Sequence, residues 1–358
     1  MRLPAPVSLI DRLQLDIPLI QAPMAGVSTP ALAAAVCEAG GLGSIGVGAT
    51  DATGARAMID AVRSRTGRPF NVNLFVHRRA KADPAREAAW LDWLAPLFAR
   101  YDASPPATLG VIYKSFADDP DMLAMLLDTV PPVVSFHFGL PPGEVLSALR
   151  ARGIVLMATA TSLAEARAIE AAGIDAAVAQ GIEAGGHRGM FDPAAPDDAL
   201  GTAVLTRLLV REAGLPVVAA GGIMDGAGIA AALDLGAVAA QLGTAFVACP
   251  ESAADEAYRE ALAGPGACHT VLTSLISGRP ARALANRFTA LGDRASRPPL
   301  PDYPIAYDAG KALHAAARAT GEHGFGAQWA GQGAPLTRAM PAGELVRTLR
   351  RELELCRA

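Results

Sequence analysis

This chain of 358 residues carries little charge: Asp, Glu, Lys and Arg make up 18%, and the formal net charge is −4. That balance argues against a nucleic-acid surface, and no basic run with interleaved aromatics occurs. Aromatic residues reach only 5%, so most packing must come from Ala, Val, Leu and Ile. The four cysteines, Cys37, Cys249, Cys268 and Cys356, lie far apart with no C-x-x-C pair. Their scatter argues against a cysteine zinc site, an iron–sulfur cluster or a disulfide framework, and no metal is expected. Cys37 falls on an apolar helix face and reads as core. The longest apolar stretch, residues 216–248, is interrupted by Asp225, Asp234 and several glycines, too polar at those points to span a bilayer. The opening Met1-Arg2-Leu3-Pro4-Ala5-Pro6 lacks the apolar core of a secretory signal. The expectation is a cytoplasmic protein with neither membrane nor nucleic acid among its partners.

What the chain has in abundance is a repeated unit: an Ala-rich helix, a stop glycine, then a short apolar strand. It recurs at residues 31–45, 163–180, 203–221 and 228–242. The starts carry helix caps. Thr29 precedes Pro30, a residue suited to the first turn; Ser162-Leu163-Ala164-Glu165 has the form of a capping box; Asp225 can cap the helix after it. Gly40, Gly173, Gly214 and Gly236 fit the left-handed position that ends a helix. Further strands are predicted at 17–22, 70–75, 133–138 and 154–160, which makes eight. Residues 108–113 are a ninth, weaker candidate inside a long excursion between Phe75 and Val133. Eight strand–helix units in about 250 residues are what a (β/α)8 TIM barrel requires; an open doubly wound sheet remains the alternative. Past Pro250 the rhythm changes. Residues 251–263 and 281–290 read as helical between Pro- and Gly-rich connections, so residues 1–250 are expected to form the barrel and 251–333 a smaller, mostly helical capping domain. An amphipathic helix within 334–358 is expected to return to the barrel.

In such a barrel the site is built where strands end. Those positions hold Gln21-Ala22-Pro23-Met24-Ala25-Gly26, Asn73, Ser135-Phe136-His137-Phe138-Gly139, Ala220-Gly221-Gly222-Ile223 and Gln241-Leu242-Gly243-Thr244. After the sixth strand comes Gln180-Gly181-Ile182-Glu183-Ala184-Gly185-Gly186-His187-Arg188-Gly189, with four glycines and a histidine in ten residues. Glycines admit a ligand close to the backbone, and a histidine exchanges protons near neutral pH. The glycines after strands seven and eight occupy the usual phosphate site of such barrels. By contrast, Gly41-Leu42-Gly43-Ser44-Ile45-Gly46 matches G-x-G-x-x-G but follows a helix and is itself strand, the wrong context for a dinucleotide fingerprint.

Residues 21–30 with Gly40-Gly41-Leu42-Gly43, then Phe70-Asn71-Val72-Asn73-Leu74-Phe75, Ser135–Gly139 and Gln180–Gly189, together resemble the motifs of the bacterial class I nitronate monooxygenases. The resemblance runs over most of the chain. It implies an FMN-containing barrel that oxidises alkyl nitronates, typically propionate 3-nitronate, with O2 and without NAD(P)H, a detoxifying reaction. FMN would meet Ala22, Pro23 and Met24 at its ring edge and Asn73 and Gln180 through hydrogen bonds. Gly185, Gly186, Gly221, Gly222, Gln241, Gly243 and Thr244 would hold its ribityl chain and phosphate. His187 carries over as the catalytic histidine, either removing a proton or orienting an anion. His137, Tyr113, Tyr303 and Tyr307 would line the substrate pocket. Lys114 is either a carboxylate partner or solvent-exposed, and His77, His269, His314 and His323 are expected at the surface. The nearest rival is an FMN- and NADH-dependent enoyl-acyl-carrier-protein reductase. A non-catalytic flavin-binding protein is a further alternative, and an inosine-monophosphate-dehydrogenase-like reaction is disfavoured for want of a cysteine after a barrel strand. Either a monomer or a homodimer is compatible with the sequence.

Overall fold

The computed structural model describes residues 8–293 and 297–358. Eleven strands occur among them. The first six are β1 (Leu19–Gln21), β2 (Gly43–Gly46), β3 (Phe70–Phe75), β4 (Val133–His137), β5 (Val155–Ala160) and β6 (Ala176–Gln180). They are followed by β7 (Gly186–His187), β8 (Val217–Ala220), β9 (Ala239–Leu242), β10 (Thr270–Thr273) and β11 (Ala281–Leu284). Eight of them form one parallel sheet in the order β1-β9-β8-β6-β5-β4-β3-β2. Its two ends meet: Leu42 N–H donates to the Leu19 carbonyl and Gln21 N–H to the Leu42 carbonyl, both at 2.9 Å. The sheet is therefore a (β/α)8 barrel and not an open sheet. The strands are short, apolar and buried along nearly their whole length, as parallel strands covered by helices must be.

The predicted caps form. Thr29 Oγ1 accepts from Leu32 N–H at 3.0 Å, Ser162 Oγ from Glu165 N–H at 3.3 Å, and Asp225 Oδ1 from Gly228 N–H at 2.8 Å. The Glu165 carboxylate reaches back one residue further than a capping box does, to the N–H of Thr161 at 2.6 Å. Gly40, Gly173 and Gly236 are left-handed. Gly214 is not. Its helix stops at Glu212 and Ala213 is extended, and the carboxylate end of exposed Glu170 lies over Gly214.

The chain beyond the barrel departs from expectation at residues 281–290. Ala281–Leu284 is strand β11, flanked by β10 and β7 in an antiparallel sheet. Alanine-rich composition favours helix in isolation, but two neighbouring strands supply the backbone partners and tertiary pairing overrides propensity. Residues 108–113 form no strand; this loop is tied to helix Ile305–Arg318 by Gly110 N–H donating to Asp308 at 2.8 Å. Helix Pro84–Ala99, from the excursion after β3, buries Trp90, Leu94 and Phe98 against Leu275, Phe288 and Leu313. The last helix, Ala342–Arg357, lays Leu345, Val346 and Leu349 against Leu32, Val36 and Ile229 of the barrel helices, and Glu352 accepts from Gly226 N–H at 2.9 Å. Among the described residues no helix is long and apolar enough to cross a membrane.

Candidate active site

The loops at the carboxyl ends of the barrel strands converge on one cavity, enclosing about 1360 Å³ with its mouth included. Every site residue predicted from sequence lines it. Ala22, Pro23 and Met24 follow β1, Asn73 lies in β3, and His137 ends β4. Gln180, Gly185, Gly186 and His187 belong to the loop after β6; Gly221 and Gly222 follow β8, and Gln241, Gly243 and Thr244 end or follow β9. Tyr113, Tyr303 and Tyr307 close the far side. Among the described lining residues none is Asp, Glu, Lys or Arg.

The histidine loop is held from several directions. Gln180 donates through Nε2 to the His187 carbonyl at 2.9 Å and accepts Gly189 N–H at 2.8 Å. Arg188, almost wholly buried, forks onto Asp197 at 2.7 and 3.0 Å and donates to the carbonyls of Gln180 and Gly181. Such a bidentate pair fixes geometry as well as charge, and the Asp197 carboxyl is held below its usual range by the Arg188 hydrogen bonds. Glu183 accepts from the Thr202 N–H and hydroxyl, both at 2.8 Å, which caps helix Thr202–Glu212. Gly186 and His187 then form β7 against β11, in register with Arg282 and Ala281. Gly185 is required there because a Cβ would meet Gly331 N at 2.4 Å.

His137 and His187 do different things with their nitrogens. His137 Nε2 lies 3.1 Å from the His187 carbonyl, and Nδ1 lies 3.0 Å from Thr159 Oγ1. A carbonyl only accepts, so Nε2 carries the proton and Nδ1 accepts from the hydroxyl. Both of its nitrogens are thereby used inside the protein. Burial pushes His137 down to about 4. His187 falls to about 3 through burial, with His137 and Arg279 adding to the effect. Both are therefore neutral at physiological pH.

Aromatic rings surround His187: Trp329 at 5.0 Å between centroids, Tyr303 at 5.4 Å, Phe138 at 5.7 Å and Tyr307 at 6.0 Å. Burial lifts the phenols of Tyr113 and Tyr307 to about 12 and raises Tyr303 too, so all three keep their protons. Lys311 is exposed, with Nζ 5.3 Å above the Tyr113 ring and 5.4 Å above that of Tyr307. Lys114 pairs with Asp119 at 2.9 Å on the surface.

Sequence reasoning missed Tyr258 and Trp329, which line the cavity, and Ser277, Arg279 and Lys311, which stand behind or above its lining. All five lie after residue 250, where no strand-end rule points to them. His77 also corrects an expectation: it is buried, with its ring 5.1 Å from that of Tyr303. The signal was available, since His77 lies two residues past the end of β3.

A closed barrel with an uncharged cavity at its strand ends, one histidine with a free ring nitrogen and a screen of tyrosines defines an enzyme of the barrel class that works on a small molecule. The chain matches the family model described as nitronate monooxygenase over residues 7–352. It is 63% identical to a nitronate monooxygenase of Paraburkholderia phytofirmans over 97% of this chain and 95% of that protein. It is 61% identical to one of Pseudomonas aeruginosa over 94% and 96%. Among solved structures, nitroalkane oxidase from Streptomyces ansochromogenes superposes with a TM-score of 0.87 at 44% identity, covering 98% of both chains. FabK from Thermotoga maritima gives 0.72 at 30% identity, covering 97% and 96%. The chain belongs to the nitronate monooxygenase family and is an oxidoreductase.

Proposed function

We propose that this protein is an FMN-dependent monooxygenase that converts alkyl nitronates, of the propionate 3-nitronate kind, to the carbonyl compound and nitrite or nitrate with O2. The observation that carries this reading is the position of His187, whose ring faces the tyrosine screen while its own loop contributes Gly185 and Gly186 to a glycine-lined cradle.

The residues present fit FMN. A Cβ at Gly221 would lie 2.5 Å from Thr202 Oγ1, and Gly222 is left-handed, so backbone and not side chain faces the cavity there. Gly243 likewise brings backbone to the wall ahead of helix Thr244–Val247. These loops would hold the phosphate and ribityl chain, with Asn73 and the 22–24 segment at the ring. Among the described residues the lining holds no carboxylate to repel an anionic cofactor or substrate, and backbone N–H groups of the glycine loops would offset the cost of burying its charge. Bound FMN would supply the one-electron redox chemistry through which O2 is engaged.

The chain's own residues bind and orient. Gln180 and His137 spend their hydrogen bonds on the His187 loop and so position the ring beside the reacting carbon. Tyr113, Tyr303 and Tyr307 remain protonated and offer donors to the nitronate oxygens. Lys311, above two of those rings, meets a substrate carboxylate at the entrance. Residues 251–333, which bring Tyr258, Tyr303, Tyr307 and Trp329 over the barrel, act as the cap that excludes water.

The test is flavin absorbance and oxygen uptake on adding propionate 3-nitronate to the FMN-loaded protein, with NADH as control. Anaerobic flavin reduction by the nitronate and NADH-independent oxygen consumption are expected. Rapid bleaching by NADH with nitronates inert would support the enoyl-acyl-carrier-protein reductase that the sequence offers as the nearest rival. A flavin inert to both would support a non-catalytic binding protein.

A further inference from the structure

The turn Ser277-Gly278-Arg279 lies behind His187 and has no part in the cavity lining. Ser277 is completely buried, and its Oγ sits 2.8 Å from His187 Nε2. The same oxygen is 3.1 Å from the Arg279 carbonyl, as donor, and accepts the Arg279 N–H at 3.3 Å. Gly278 makes the turn possible: it is left-handed, and a Cβ on it would meet the Pro301 carbonyl at 2.7 Å and Tyr303 N at 2.9 Å. The turn is thus clamped between the histidine loop and the Tyr303 segment.

One hydroxyl has one proton to give. If Ser277 donated it to His187, the buried Arg279 carbonyl would lose its donor, and leaving a buried acceptor unpaired costs about 1–3 kcal/mol. If it donates to the carbonyl, Oγ accepts from His187 Nε2–H and every group is satisfied. The second arrangement leaves Nδ1 as the bare nitrogen. Nδ1 has no partner among the described residues and is open to the cavity.

We propose that Ser277 is a positioning residue that fixes His187 as its neutral Nε2–H tautomer, so that the ring presents an unprotonated Nδ1 to the cavity and acts there as a proton or hydrogen-bond acceptor. His187 therefore does not neutralise an anion with charge of its own. Whatever faces Nδ1 must bring the hydrogen.

The charged and titratable surroundings agree. Arg279 is 2% exposed, and the carboxylates that act on it, Glu165 and Asp192, do so without a direct ion pair among the described residues. It lies 4.1 Å from the centroid of Phe138, whose ring is 5.7 Å from that of His187, and donates to the Met190 carbonyl. Burial lowers Arg279 only to about 10, so it stays cationic and disfavours a second positive charge on the imidazole. From β4, His137 is neutral; from the cap, Tyr303 and Tyr307 are protonated and neutral. None of these groups offers His187 a counter-ion.

The inference rests on the proposed function only in taking the cavity as the place of reaction, and its deciding readout, a nitrogen-15 spectrum, needs no turnover. Histidine-selective nitrogen-15 NMR of the FMN-loaded protein, with His187→Asn to assign the signal, reads which ring nitrogen is protonated. A neutral Nε2–H pattern from pH 8 down to pH 5 is expected. An Nδ1–H pattern, or an imidazolium at pH 7, overturns the proposal whatever the enzyme's activity. Ser277→Ala should mix the two tautomers and lower kcat/KM by roughly tenfold or more, as loss of tautomer control does, with flavin content unchanged. Ser277→Thr, which keeps the hydroxyl, should restore both the spectrum and the rate. A Ser277→Ala protein with the wild-type nitrogen-15 pattern would overturn the assignment of that role to Ser277.

Discussion

His137 is coupled to His187 through the backbone, its Nε2–H donating to the His187 carbonyl at 3.1 Å. With the Gln180 amide on the same oxygen at 2.9 Å, it pins the peptide that carries the His187 ring. His137→Ala should destabilise the protein by about 1–3 kcal/mol, the usual cost of unpaired buried partners, and lower kcat as the loop loosens. Calorimetry beside steady-state kinetics checks it. Wild-type melting together with wild-type kcat would remove His137 from this supporting role.

His187→Asn should retain FMN and lower kcat by about 10²–10⁴, the range for a lost general acid–base group. The proposed cofactor cradle is glycine backbone, to which the His187 ring would contribute nothing. Flavin-to-protein ratio and turnover are the paired measurements, and full turnover with bound flavin would contradict the assignment.

Gly185→Ala tests the cradle itself. Its new Cβ would fall 2.4 Å from Gly331 N and 2.6 Å from the Ala330 carbonyl carbon, and backbone cannot step aside as a side-chain tip can. The expected result is a folded protein that loses its flavin on desalting.

Lys311→Met should raise KM for a nitronate bearing a carboxylate and leave KM for an uncharged alkyl nitronate within about twofold, since exposed charges act weakly beyond their immediate partner. Equal effects on both substrates would show that Lys311 acts on the tyrosines and not on substrate charge.

Acid should weaken the fold through the two cavity histidines. In the unfolded chain they take up protons below about pH 6.5, but in the folded protein only near pH 4 for His137 and pH 3 for His187. The unfolded state therefore binds more protons throughout that interval, and stability falls as pH drops from 6.5 through the folded values. Melting temperatures from pH 7.5 to 5 should decline, and His187→Asn should flatten the slope. An unchanged slope in that variant would place the acid sensitivity elsewhere.

The barrel was legible because its cause is local. Short apolar strands, capped helices and stop glycines recur along the chain, and the strand-end rule then marks the cavity from Ala22 to Thr244. The cap was less legible because its order is tertiary. Ala281–Leu284 becomes strand only through β10 and β7, and Trp90 and Phe98 meet Phe288 only once the excursion after β3 has folded across. Ser277 and Arg279 carry no spacing signal that ties them to His187, ninety residues earlier for Ser277. Their relationship exists only where β11 brings the two segments side by side.

That strand pairing has a mechanical meaning. His187 is a member of the sheet whose other strands are β11 and β10, so lifting the sheet would drag its ring away from the barrel. Displacing the sheet and displacing the His187 ring are therefore one event, because β7 carries the residue and β11 holds β7. If His187 has the proposed role, the wall that shelters the cavity also sets where that ring stands.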